Sequence, residues 1–189
     1  MKAFLIFVGV MVLSIVLLVF YGISVKNGLI DREETVQQKF SEIDNQLKRR
    51  SDLIPNLVNV VKGYAKHEKE LFSEVANARS RLLGAGSVSE KAAASSELGS
   101  ALGRLLAISE NYPQLKADQS FIRLQDELAG TENRITVARK RYNEAVKDFR
   151  SKVKRFPGSI FKDSFDIDKM AYFEVEDRAA KQNAPKVEF

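Results

Sequence analysis

The chain has 189 residues, enough for one domain of ordinary size plus a short extra element. It contains no Cys and a single His, which excludes a disulfide framework, a thiolate nucleophile and any sulfur-ligated metal. Thirty Lys and Arg against 25 Asp and Glu leave a net charge of +5, too small an excess to argue by itself for nucleic acid or anionic lipid.

Residues 3–25, AFLIFVGVMVLSIVLLVFYGISV, carry no charge. This run exceeds the roughly 20 residues needed to cross a hydrocarbon core of about 30 Å, so it reads as a transmembrane helix surrounded by membrane lipid. The competing reading is a cleaved secretory signal, with Lys2 as its basic start and Gly22-Ile23-Ser24 as a small-x-small site. The apolar stretch is longer than the usual signal core of about 7 to 15 residues, which favours the anchor. Lys2 and the terminal amine flank it on one side, and Lys26, Arg32 and Lys39 on the other. That bias predicts a single-pass protein with a cytoplasmic domain, by a narrow margin of charge over an extracytoplasmic one.

After a polar break at Lys26-Asn27-Gly28, apolar residues recur at Val36, Phe40, Ile43, Leu47, Ile54, Leu57, Val61, Tyr64, Leu71, Val75 and Leu82. These steps of three, four and seven predict one helix over residues 31–83, bent but not ended at Pro55. Gly84-Ala85-Gly86 stops it, and Ser87 with Glu90 has the form of a capping box opening an Ala-rich second helix. Asn111-Tyr112-Pro113 closes that helix. A third is predicted over 118–153, from Phe121, Leu124, Leu128, Ile135, Ala138, Tyr142, Ala145 and Phe149, interrupted only by Gly130. Phe156-Pro157-Gly158 ends it, and Phe161, Phe165, Ile167, Met170, Tyr172 and Phe173 follow as a short helix or a packed loop.

Strand patterns are missing, so the expected class is all-α: an N-terminal transmembrane helix followed by an antiparallel, coiled-coil-like bundle of three long helices and a short C-terminal helical segment. The expected divisions are an anchor over 1–25, a bundle over 26–176 and a loose tail over 177–189. Helices of such unequal length cannot pair completely within one molecule. Apolar face is left over, to be covered partly by the C-terminal aromatic segment and partly by another copy of the chain, so a homo-oligomer is expected.

The string Gln46-Leu47-Lys48-Arg49-Arg50-Ser51-Asp52-Leu53-Ile54-Pro55-Asn56-Leu57-Val58, continuing through Val61-Lys62-Gly63-Tyr64-Ala65 to His67-Glu68, resembles the signature of the LemA family of bacterial membrane proteins. A second block, including Asn111-Tyr112-Pro113, Thr131-Glu132-Asn133-Arg134-Ile135, Ala138-Arg139, Tyr142-Asn143 and Phe156-Pro157, is similar to the family's second half. The resemblance covers residues 1 to about 174. It implies a bundle of long antiparallel helices behind one transmembrane segment in the bacterial cell membrane, and loose ties to envelope functions. It implies no catalytic residues and no reaction.

Local motifs offer little chemistry. His67-Glu68-Lys69-Glu70-Leu71 begins like the zinc-protease H-E-x-x-H, but Leu71 stands at the second ligand position, leaving His67 as a helix-surface residue. No G-x-S-x-G elbow or phosphate loop occurs, and Asp163, Asp166 and Asp168 lack the spacing of a calcium loop. Lys48, Arg49 and Arg50 read as a solvated charged face paired along the helix with Glu42 and Asp52. The sharper alternative makes Lys48, Arg49, Arg50, Asp52, Pro55 and Asn56 a partner-binding bend. Nine basic residues between Arg134 and Arg155, among them Arg139, Lys140 and Arg141, face only Glu144 and Asp148 within that stretch. They pair with the acidic segment over 163–177, or meet anionic lipid or an acidic protein; nucleic acid is disfavoured because Tyr142 and Phe149 belong to the apolar face.

These features predict a non-enzymatic membrane scaffold without cofactor or metal, which self-associates and meets other envelope proteins. The alternative is an accessory or recruiting subunit of a membrane protease or envelope-stress system.

Overall fold

The structure is a computed structural model that describes residues 1–174. The tail expected to be loose lies outside the described residues. Five α-helices carry the fold: α1 (Lys2–Tyr64), α2 (Lys69–Gly84), α3 (Val88–Ala107), the single turn α4 (Pro113–Lys116) and α5 (Gln119–Lys154), followed by 3-10 turns at Gly158–Ser164 and Ile167–Lys169. No strand occurs among the described residues.

Two expected boundaries are corrected. The polar break at Lys26-Asn27-Gly28 does not interrupt the chain: α1 runs 63 residues, about 95 Å at 1.5 Å per residue. Lys and Asn are tolerable helix residues, and a lone Gly costs only about 1 kcal/mol, less than flanking helix recovers. The helix expected over 31–83 instead ends at Tyr64 and turns through residues 65–68 into α2. His67 is accordingly exposed in a turn and not on a helix surface. Residues 65–68 contain no Gly or Pro, although Gly63 stands in the last turn of α1. The break falls where the apolar stripe meets the polar run Lys66-His67-Glu68-Lys69, between buried Ala65 and buried Phe72.

The reversal resolves the mismatch in helix lengths. α1 and α2 run antiparallel, with Lys62 stacked 5.3 Å from the centre of the Phe72 ring. α2 and α3 form a second antiparallel pair, bridged by Arg81 with Glu97 at 2.6 Å and by Arg104 with Glu74. α5 returns along α1, from Tyr64 bonded to Asp118 at 2.9 Å down to Arg32 paired with Asp148 at 2.8 Å. The result is an up-down-up-down bundle whose distal half has four helices. α2 and α3, at roughly 24 and 30 Å, are too short to accompany α1 and α5 further, so the rest is a two-helix neck.

The C-terminal aromatic segment covers that neck. Phe165 meets Phe149 edge-on at 5.6 Å, Tyr142 Oη donates to the Ala171 carbonyl at 2.9 Å, and Asn143 both accepts from the Phe173 amide and donates to its carbonyl. Burial pushes the Tyr142 phenol up to about 12, against a smaller opposing effect of Arg150, so the hydroxyl remains a donor.

One core runs through both halves. Leu29, Val36, Ile43, Leu47, Ile54, Leu57 and Val61 are the buried stripe of α1, facing Phe121, Leu128, Ile135, Tyr142, Val146, Phe149 and Val153 of α5. The expected capping box forms between Ser87 and Glu90, and the structure adds a cap at Asp118, whose carboxylate accepts from the amides of Ser120 and Phe121. Residues 3–20, in contrast, touch nothing that covers them and lie exposed.

Leu57→Ala, at a side chain with no exposure, is expected to cost about 2–5 kcal/mol in a urea titration. A second expectation concerns acid. The Phe121 amide, together with the Tyr64 hydroxyl and the Ser120 amide, holds the Asp118 carboxyl below its ordinary value. Its stabilising effect is therefore present above the ordinary Asp pKa of about 4 and fades as pH falls through the lower folded value. Asp118→Ala should be less stable than the parent at neutral pH, and thermal melts should show the gap closing in acid.

Candidate interaction surface

Pro55 lies inside α1, four residues after Ser51. A proline has no amide hydrogen, so the Ser51 carbonyl is denied its helical donor. Arg79 of α2 supplies a replacement: its Nε donates to the Ser51 carbonyl oxygen at 2.8 Å. The helical defect is thus turned into an inter-helix bond, and α1 continues past Pro55 for more than two turns.

Around this point the expected patch divides. Arg50 and Ser51 are buried, whereas Lys48, Arg49, Asp52, Pro55 and Asn56 are exposed. Arg50 therefore does not belong to a solvated face paired with Glu42 or Asp52. Its guanidinium crosses to α5 and pairs with Glu132 at 2.5 Å, passing close to Gly99 of α3. A Cβ at position 99 would sit 3.6 Å from an Arg50 nitrogen, so the small residue lies in ordinary contact with the guanidinium. Burial lowers the Arg50 pKa and the Glu132 carboxylate opposes that, but an Arg begins so high that it keeps its charge. Glu42 pairs instead with Lys39 at 2.5 Å, and Asp44 pairs with Lys91 of α3.

The exposed remainder, at positions 48, 49, 52, 55 and 56, follows the i, i+1, i+4, i+7, i+8 spacing of one helical face. It forms a continuous polar stripe along the outer side of α1.

The basic stretch on α5 also divides. Lys140 and Arg141 are exposed, while Arg139 is half-buried with its guanidinium 5.5 Å from the centre of the Phe173 ring. Arg150 does the same over Tyr172 at 5.6 Å. Both cations thus help to hold the C-terminal segment against the neck, by contacts worth about 0.5–2 kcal/mol each depending on solvation. Arg141 lines a shallow groove between α1 and α5 together with Glu42, Asn45, Gln46, Asn133 and Arg134. In the antiparallel register set by Phe40 beside Tyr142 and Arg50 beside Glu132, residues 139–141 lie about two helical turns from the 48–56 stripe. The two groups therefore do not converge on one site. Among the described residues, no three His, Asp or Glu side chains come together where they could hold a metal ion.

Sequence reasoning missed Arg79 and Gly99 and saw Glu132 only within the Thr131–Ile135 string, because each acts across helices far apart in the chain. Asn143 was visible only as part of the Tyr142-Asn143 string.

The class this fold defines is an all-helical bundle led by one helix long and apolar enough to cross a membrane, with structural rather than convergent polar groups. The chain belongs to the LemA family, whose model matches residues 39–189. It is 25% identical over 172 residues to Protein LemA of Metamycoplasma hominis, covering 90% of this chain and 78% of that protein. It is also 25% identical over 172 residues to Magnetosome protein MamQ 2 of Paramagnetospirillum magneticum, covering 77% of this chain and 63% of that protein. Magnetosome protein MamQ of Magnetospirillum gryphiswaldense matches at 25% over 175 residues. The chain thus spans less than two thirds of the length of these magnetosome relatives.

The proline and arginine make a linked pair of expectations. Arg79→Leu leaves the Ser51 carbonyl unpaired and should cost about 1–3 kcal/mol in denaturant titrations. In a Pro55→Ala background the residue 55 amide becomes available to Ser51, and the same Arg79→Leu change should cost much less. Equal costs in both backgrounds would show that Arg79 contributes through packing alone.

Proposed function

We propose that this protein is a non-enzymatic scaffold of the bacterial envelope, anchored by residues 3–25 and self-associating through the N-terminal part of α1. The observation that carries this reading is the continuity of α1. The apolar segment and the bundle's longest core helix are one uninterrupted element, so the domain is held as a rigid extension of its anchor and not as a tethered ball. A neck of two helices stiffened by a C-terminal strap suits a protein that sets distance and orientation at a membrane.

Self-association is assigned to the N-terminal part because the bundle's own apolar stripes are occupied. Beyond residue 25, the exposed large apolar side chains among the described residues are Ile30, Tyr64, Leu83, Val137, Phe156 and Ile160, with no continuous face along a helix. The polar stripe at Lys48, Arg49, Asp52, Pro55 and Asn56 and the exposed Lys140 and Arg141 are then surfaces for an envelope protein. Relatives named as magnetosome proteins agree with work at a membrane compartment.

The test is the mass of the detergent-solubilised full chain beside that of the fragment from Lys26 onward, with co-purifying proteins identified. A homo-oligomeric full chain and a monomeric fragment are expected. A monomeric full chain in fixed ratio with a protease or transporter would replace the scaffold with an accessory subunit.

A further inference from the structure

We propose that the membrane-proximal end of the bundle, Phe156 and Ile160 with Lys152, Lys154, Arg155 and Lys162, is a second membrane contact that sinks into the interface of an anionic bilayer. The proposal rests on the reading of residues 3–25 as membrane-spanning.

Position comes first. α5 runs back along α1 and ends at Lys154, and its terminal turn lies beside Val25, Gly28, Leu29 and Arg32. The following 3-10 turn reaches further still: a Cβ on Gly22 would lie 3.9 Å from the Phe161 ring. Gly22 is inside the uncharged segment, three residues before its end, so the turn stands at the level where the last apolar residues of α1 leave the bilayer. Tyr21 at the same level, 57% exposed, has the character of an interfacial aromatic.

The turn is also folded closely against the end of α5. A Cβ on Gly158 would come within 2.2 Å of the Lys152 carbonyl oxygen, so only glycine allows the chain to fold back this tightly over the end of α5. On this turn Phe156 is 81% exposed and Ile160 68% exposed, the largest exposures of any large apolar side chain beyond the N-terminal segment among the described residues. Such exposure costs free energy in water and is recovered in the headgroup layer.

Charge selects the lipid. Lys152, Lys154, Arg155 and Lys162 are all exposed and lie within a few residues of Phe156 or Ile160 in the chain, Lys152 and Arg155 lining the same groove as Phe156. A basic residue close to an anionic membrane surface favours association by about five-fold, equivalent to about 1 kcal/mol. Four of them close in the chain to an apolar pair match anionic phospholipid headgroups above acyl chains.

The chain has no Cys, so single-cysteine variants of the full-length protein report one position each. Leu13→Cys, Leu83→Cys and Ile160→Cys, each labelled with an environment-sensitive fluorophore, are reconstituted in phosphatidylcholine vesicles with and without phosphatidylglycerol, using spin-labelled lipids as quenchers. The labels at 13 and 160 should be blue-shifted and quenched and the label at 83 should report water. Quenching at 160 should weaken several-fold without phosphatidylglycerol. A label at 160 as aqueous as that at 83, with 13 in the bilayer, would overturn the contact alone. An aqueous label at 13 would overturn the anchor and the contact together. Equal quenching at 160 in both lipids would overturn the assignment to anionic headgroups.

Discussion

α1 pairs with α5 along most of both helices, from Arg32 beside Asp148 to Tyr64 beside Asp118, and the other elements are arranged around that pair. The pairing imposes a constraint, because α1 must present an apolar stripe to a protein core and, within the same unbroken helix, an apolar circumference at its N-terminal end. The composition of the helix changes to match. Charge is absent from residue 3 through residue 25, and beyond it only the stripe from Leu29 to Val61 stays apolar. One element thereby runs from the apolar end to the distal tip of the bundle.

Two long helices alone would leave half of each stripe exposed, and the chain covers them in two ways. Distally, the α2–α3 pair completes a four-helix cross-section. Proximally, an irregular aromatic segment does so, held by Tyr142, Asn143 and the stacked guanidinium groups of Arg139 and Arg150. Irregular backbone needs partners for its own amides and carbonyls, and the Asn143 amide side chain provides both for Phe173. The same economy appears at Pro55, where a missing donor is made good from the neighbouring helix. Buried Arg50 and half-exposed Glu132 join the two longest helices at mid-height, and the desolvation cost falls on the arginine.

Much of this was legible in the residues. The stripe spacings, the Ser87–Glu90 capping box, the Gly84-Ala85-Gly86 stop and the α5 boundaries all rest on local chemistry, which a sequence displays directly. The turn at 65–68 was not legible. The stripe read through Val61, Tyr64, Leu71 and Val75 suits one straight helix, whereas the structure buries Ala65 and Phe72 in place of exposed Tyr64 and half-buried Leu71, and apolar residues at such spacings serve one helix or two antiparallel ones sharing a core. Periodicity reports which side of a helix is buried, not whether its axis reverses. The inward course of Arg50 was hidden for a related reason, since Lys48, Arg49 and Arg50 are chemically alike and differ only in angular position by about 100° per residue.

By itself, then, the sequence determined the all-α class, the uncharged N-terminal segment, the caps and the family, because each depends on composition or on contacts within a few residues. Tertiary structure alone decided that α1 is continuous through Lys26-Asn27-Gly28, that the second helix folds back, and that Arg79 answers Pro55. It also decided that Phe156 and Ile160 stand beside the end of the apolar segment. Those outcomes depend on which distant residues share a level along the bundle, and that register is set by the packing of whole helices.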